Sequence, residues 1–260
     1  MTIGPAPLDH ETRLQVALSI AEKLMSHFEE DLVAIGLYGS VAQGTDSPYS
    51  DIEMHCVVEA PVLDTSIEWS AGDWKAEIDL KNVKAIMKRA ASVEITWAVT
   101  HSIFVYTQPI YDPSNLFLHL QRTALSQPDL LFQKAMRALI VEELYELAGK
   151  VRNMEHRQDY SMLPSYAASA ARWGACLIGL ANRNIYPSGG VALKNSLKLQ
   201  DRPAGYDTLC RMVMAGELSD SKAVAGAFED FWLGVNAWAA QRGLQLTDDL
   251  EHLLAALKVG

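Results

Sequence analysis

Basic residues are in short supply. The 260-residue chain has 22 Lys and Arg against 32 Asp and Glu, a formal net charge of −10 and a pI near 5.1. Such a field repels nucleic acid, whose binding rests on Lys and Arg at phosphates, and favours polycations instead. Cysteine is scarce too. Cys56, Cys176 and Cys210 are odd in number and far apart, which argues against a disulfide scaffold or a thiolate zinc site and suits a reducing cytoplasm. No apolar run approaches membrane-spanning length. Met1 to Arg13 carries Asp9 and Glu11 and lacks a basic start followed by an apolar core, so no secretory signal is expected. What remains, 49% hydrophobic and 21% charged, is an ordinary globular composition, long enough for two modest domains or one large one.

The chain is organised around residues 33 to 58. Val33-Ala-Ile-Gly-Leu-Tyr-Gly-Ser40 is an apolar run ending in a Gly-Ser turn; ten residues with Gly44, Asp46, Ser47 and Pro48 follow, then Asp51-Ile-Glu-Met-His-Cys-Val-Val58. This reads as strand, loop, strand. Strand side chains alternate, so Asp51 and Glu53 share a face beside Gly39-Ser40. Two like charges so close repel unless a cation neutralises them. Hard carboxylate oxygens suit Mg2+, which also takes substrate phosphates. Gly39 allows close backbone approach to an anion, and Ser40 adds a hydroxyl and an N–H. His55 is read as turned away from the two carboxylates, with no Cys or His at zinc spacing, and all seven histidines are taken as structural.

Elsewhere, apolar residues from Leu14 to Phe28 recur at helical spacing, predicting a helix over residues 9 to 29. After Val58, a link containing Pro61 leads to Ser66-Ile-Glu-Trp69, a Gly72-Asp73 turn and Trp74-Lys-Ala-Glu-Ile-Asp-Leu80, a strand with Lys75, Glu77 and Asp79 on one face. Spacing does not choose between Glu77 and Asp79 as a third carboxylate. Asn82 caps a helix to about residue 91. Residues 97 to 112 are ambiguous between short strands and other structure, with breaks at Pro109 and Pro113, before a helix from Ser114 to about Leu125. Ser126-Gln-Pro-Asp129 is a helix start and the expected domain boundary. Beyond it the texture is helical, with helices expected at 128–154, 164–184, 190–199, 206–215, 219–242 and 247–258. On the first of these, Glu143, Glu146 and Lys150 share a stripe, and Glu146–Lys150 has the order of a helix-stabilising surface pair.

Gly39-Ser40, the ten-residue spacer and Asp51-Ile-Glu53 together resemble the signature of the nucleotidyltransferase superfamily. Tyr38-Gly-Ser, Thr45-Asp, Pro48-Tyr-Ser-Asp-Ile-Glu-Met54, Ile140-Val-Glu-Glu-Leu144 and Ala148-Gly-Lys150 resemble the kanamycin nucleotidyltransferase, or aminoglycoside 4'-O-nucleotidyltransferase, family, and the likeness continues through Gly205-Tyr-Asp207 and Phe231-Trp232. The resemblance implies an α+β protein, with a nucleotidyltransferase mixed β-sheet domain over residues 1–126 and an α-helical bundle domain over 127–260. It implies transfer of a nucleoside monophosphate from ATP or another nucleoside triphosphate to the 4'-hydroxyl of drugs such as kanamycin, tobramycin and amikacin. It selects Glu77 beside Asp51 and Glu53 as Mg2+ ligands. Gly39, Ser40, Ser50 and Lys150 would face the nucleotide, Glu53, Glu68, Glu77, Glu143 and Glu146 the aminoglycoside, and Glu146 would be the general base. It further implies a homodimer with active sites shared between subunits. Gln43 stands where the family carries an arginine. A different acceptor, protein or another antibiotic, and a silent nucleotide-binding module are the alternatives.

Overall fold

Asp9 starts the first helix, α1 (His10–Phe28), by accepting a hydrogen bond from the Thr12 amide at 2.7 Å. Its buried stripe is Arg13, Ala17, Ile20 and Ala21, three small or apolar residues and one guanidinium. Strand β1 (Leu32–Tyr38) ends in the short helical turn α2 (Gly39–Ala42), and the chain returns as β2 (Ile52–Val58), β3 (Asp64–Ser70) and β4 (Lys75–Asn82). Asn82 caps α3 (Val83–Ala90), accepting from the Ala85 amide at 2.8 Å. Two single turns, α4 (Trp97–Thr100) and α5 (Ser102–Val105), precede β5 (Gln108–Tyr111) and α6 (Leu116–Leu125). The computed structural model describes residues 4–59, 64–251 and 254, so the Pro61 link lies outside the described residues.

The five strands form one mixed sheet in the order β3-β4-β2-β1-β5. β2 runs parallel to β4 and antiparallel to β1, while β3 and β5 close the edges antiparallel to their neighbours. One face is apolar along its length: Ile35, Leu37, Ile52, Met54, Ile78 and Leu80 pack with Ala17, Ile20 and Ala21 of α1. Fully burying each Ile, Leu or Met contributes roughly 1.5–3 kcal/mol. The other face changes character along the strands. Ala34 and Val57 pack with Ile86, Phe117 and Leu120 of α3 and α6. Towards the start of β2 the same face carries His55 and then Glu53, and along β4 it carries Asp79 and Glu77. The polar end of this half-covered face positions the site.

His55 therefore shares the face of Glu53, contrary to expectation, because residues two apart in a strand point the same way. Its ring lies 4.4 Å from that of Tyr38, and its Nε2 is 3.0 Å from the Ile103 carbonyl. The stretch from Trp97 to Val105 is helical rather than extended, and only Gln108–Tyr111 pairs with β1.

The chain divides into two units. The first takes the described residues through Ser92 together with Trp97–Gln127 and Ile185–Gly189; the second takes Val93–Thr96, Pro128–Asn184 and the described residues from Gly190 onward. The second unit is helical: α7 (Asp129–Ala138), a π-helical turn (Leu139–Leu144), α8 (Tyr145–Arg157), α9 (Leu163–Ala181), α10 (Ala192–Ser196), α11 (Tyr206–Ala215) and α12 (Ser221–Gln241). Its core gathers Leu147, Ala170, Ile178, Leu209, Phe228 and Phe231, all buried. The helix expected over 190–199 is shorter, and the one expected over 128–154 is interrupted by the π-turn. Most of the helix expected over 247–258 lies outside the described residues.

Candidate active site

Strand register brings three carboxylates to one corner of the sheet, beside a fourth in the loop before it. Glu53 of β2 stands opposite Glu77 of the parallel strand β4, and Glu77 stands opposite Glu68 of β3. Asp51 immediately precedes β2. Among the described residues, Lys75 is the cation paired at this corner: its Nζ lies 2.8 Å from Glu68 Oε2 and 3.8 Å from Asp51 Oδ2. Glu53 is half-buried. Burial, then the neighbouring Asp51 and Glu77 charges, push its carboxyl up to about 7, against a smaller pull from Lys75. Ser66 Oγ donates to Glu77 Oε1 at 3.1 Å. Asp79, the other residue on that face of β4, is committed elsewhere. Its burial would raise its pKa, but His55, Arg89 at 3.0 Å and Lys81 at 3.3 Å outweigh this and hold the carboxyl low.

Gly39 makes room for Glu53. It adopts φ +72°, and a Cβ built there would stand 1.8 Å from Glu53 Oε2. A side chain at residue 39 would be strained and would also displace a carboxylate. The next turn is tied down by its own backbone and by Gln43, whose amide Nε2 donates to the Gly39 carbonyl at 3.0 Å and to the Pro187 carbonyl at 3.1 Å. The Ser40 carbonyl accepts from the Thr45 amide at 3.0 Å. Ser50 Oγ accepts from the Ser47 amide at 2.9 Å, so its own O–H remains a donor.

Glu146 and Lys150 lie in the helical unit, on exposed turns of α8, and pair with each other at 2.6 Å. This pairing, first among its causes, raises the Lys150 pKa. Lys150 Nζ also sits 5.6 Å above the Tyr166 ring. Glu143 belongs to the π-turn, whose extra residue changes its direction relative to Glu146 from that of a uniform helix. Arg152 grips Glu229 through two nitrogens, at 2.5 and 3.2 Å.

Among the described residues, no group of three His, Cys, Asp or Glu side chains stands ready to hold a metal ion. The chemistry of Asp51, Glu53 and Glu77 nevertheless suits one. All are oxygen donors, and the Glu53 carboxyl, raised first by burial and then by the Asp51 and Glu77 charges, would be relieved by a cation.

Residues 114–245 match the family model of the KNTase C-terminal domain. The chain is 39% identical over 240 residues to an aminoglycoside nucleotidyltransferase (4') from Staphylococcus aureus and, at the same identity, to one from a Bacillus species, covering 92% of this chain and 95% of each relative. The chain belongs to the aminoglycoside nucleotidyltransferase (4') family. Its fold also resembles the crystal structure of a nucleotidyltransferase-like protein from Exiguobacterium sibiricum, with a TM-score of 0.53 and 12% identity over 88% of this chain and 74% of the other.

In this aminoglycoside nucleotidyltransferase (4') family member, Gly39, Ser40, Ser50, Asp51, Glu53, Glu68 and Glu77 all fall in the sheet unit, and Glu143, Glu146 and Lys150 in the helical unit. Sequence reasoning gave no role to Lys75, the counter-cation of the carboxylate corner, nor to Arg13. Arg13 is buried, and its Nη1 meets Asp46 Oδ2 at 2.6 Å. The available signal was an arginine on the same stripe as Ala17, Ile20 and Ala21, where a solvated residue does not belong. Among the described residues, no helix is long and apolar enough to cross a membrane.

Proposed function

We propose that this enzyme transfers a nucleoside monophosphate from ATP, or another nucleoside triphosphate, to the 4'-hydroxyl of aminoglycosides such as kanamycin, tobramycin and amikacin, releasing pyrophosphate. The observation that carries the reading is the cation-poor carboxylate corner of Asp51, Glu53, Glu68 and Glu77, in a chain aligned nearly end to end with two aminoglycoside nucleotidyltransferases (4').

Asp51, Glu53 and Glu77 would hold Mg2+, which when bound neutralises phosphate charge. Ser50, with its free O–H, and Ser40 would hydrogen-bond the triphosphate, and Lys150 would add a positive charge to it. Gly39 keeps Glu53 seated at the corner. Glu68, Glu143 and the remaining acidic groups would orient the acceptor through its ammonium groups. Glu146, exposed and paired with Lys150, would accept the proton of the 4'-hydroxyl as that oxygen bonds to the α-phosphorus and the bond to the bridging oxygen breaks. The family resemblance supports a homodimer in which Glu146 of one subunit serves the carboxylates of the other. Three buried free cysteines suit the reducing cytoplasm.

The test is to incubate the protein with ATP, Mg2+ and tobramycin, then analyse the drug by mass spectrometry and NMR. The expected product carries one nucleoside monophosphate on the 4'-oxygen. Unmodified tobramycin, amikacin and kanamycin with every common triphosphate would overturn the reading.

A further inference from the structure

The loop that delivers Ser50 and Asp51 is held from beneath by one side chain. Arg13 of α1 is 1% exposed. Its Nε donates to the Ser50 carbonyl at 2.9 Å, its Nη1 to Asp46 Oδ2 at 2.6 Å, and its Nη2 to the Pro48 carbonyl. The three acceptors span residues 46 to 50, the segment immediately before Asp51. A planar guanidinium can satisfy all three at once because its five N–H groups are fixed in a fork; an ammonium on a flexible stem cannot. Asp46 is braced from its other oxygen by His10 Nδ1 at 2.6 Å. Burial works against the Asp46 charge, and the bonds from His10 and Arg13 overcome it.

We propose that Arg13 is a positioning residue for the reaction. It touches neither substrate but fixes the Ser47–Ser50 turn, so that the Ser50 hydroxyl and the Asp51 carboxylate stand beside Glu53. The inference rests on the proposed transfer activity for its catalytic consequence, but not for its structural one. Displacing a reacting or binding group by about 1 Å can cost on the order of a hundredfold in rate.

Two variants separate positioning from stability. Arg13→Lys keeps the buried charge and loses the fork. Arg13→Met combined with Asp46→Leu removes both buried charges, a replacement that often leaves stability unchanged or improved. Amide hydrogen exchange of the intact protein should accelerate over residues 44–51 in both variants, while amides of β1 and β2 keep their protection. With tobramycin and ATP, kcat should fall on the order of 10–100-fold in both, including the double variant whose melting temperature is restored. KM for tobramycin should change little, because the acceptor's acidic contacts are untouched. Wild-type exchange over residues 44–51 in Arg13→Lys would overturn the proposal, as would a double variant that regains both melting temperature and kcat. A wild-type protein that modifies no aminoglycoside would instead refute the transfer reading, and the exchange data would still decide the role of Arg13.

Discussion

The two acidic regions of the molecule handle their charge in opposite ways. On α8, Glu146 finds its cation four residues later on the same helix, in water, at 2.6 Å. At the sheet corner, strand pairing brings Glu53, Glu68 and Glu77 together beside Asp51, and the neighbouring Lys75 pairs with Glu68 and Asp51. The first arrangement is electrostatically complete and needs nothing further to be stable. The second is held in place by backbone hydrogen bonds and an apolar layer beneath, at a continuing electrostatic cost. A region that is costly in isolation is one prepared to gain when a cation arrives.

The largest effect should come from removing charge at the corner. Asp51→Asn or Glu53→Gln should lower kcat by at least about a thousandfold if these carboxylates hold the metal that neutralises the triphosphate. Neither should unfold the protein. A turnover assay beside a thermal melt checks both halves, and retention of most activity by either variant would remove the metal assignment.

Glu146→Gln comes next, with a loss of about 10²–10⁴-fold in kcat as expected for a general base. Its melting temperature should barely move, since an exposed i,i+4 pair in water contributes little to stability. Mixing the inactive Asp51→Asn and Glu146→Gln proteins tests the proposed dimer and sharpens the comparison. If each site draws on both subunits, a mixed dimer has one site with both lesions and one with neither, and activity returns. No recovery, once native mass spectrometry shows exchanged subunits, refutes the shared site.

Gly39→Ala should destabilise the fold by about 1–3 kcal/mol, from a left-handed backbone and from the Glu53 carboxylate it would displace. Chemical denaturation measures it; an unchanged midpoint would mean that Glu53 is free to move.

Stability against pH reads the corner directly. The folded Glu53 carboxyl keeps its proton up to about 7, against 4.5 for an unperturbed glutamate. The folded chain thus binds more protons than the unfolded one across that window. Without metal, the Glu53 contribution to stability should fall as pH rises from 4.5 to about 7, and the cost is complete above it. Glu53→Gln should flatten that slope, as should Mg2+. A wild-type slope in the variant would assign the effect to other groups.

The smallest effect is screening. KM for the aminoglycoside should rise with ionic strength more than KM for the nucleotide, because exposed attractions fade over about 8–10 Å near physiological salt. Equal dependence for both substrates would count against acceptor binding by charge.

What the sequence made legible follows the range of each signal. The strand, Gly-Ser turn and Asp-x-Glu strand are local and periodic, so β1, β2 and the facing of Asp51 and Glu53 could be read directly. Asn82 was legible as a cap for the same reason. The pairing of Glu68 with Glu77 depends on which strands become neighbours, and the choice of Glu77 over Asp79 came from family resemblance alone. Asp79 is engaged by His55, Arg89 and Lys81, contacts that only the fold brings together. Arg13 sits on the buried stripe of α1, but its partners at residues 46 to 50 are far along the chain, so the stripe signals burial and not the loop it holds. The facing of His55 was misread despite a plain alternation. β5 is only four residues long and contains Pro109, too little for a periodic signal.

The π-turn before α8 holds one residue more than the same stretch of ordinary helix needs. Each residue of an α-helix turns the chain by about 100°. Shortening Leu139–Leu144 by one residue could convert the wide turn to ordinary helix with every backbone bond still made. The wide turn already absorbs the rotation of its extra residue, so α8 would keep Glu146 and Lys150 on the face they now present, and only residues within the turn, Glu143 among them, would change direction relative to them. A one-codon deletion there would therefore re-aim Glu143 while leaving Glu146 in place, a separation of the two glutamates that scanning by substitution does not make.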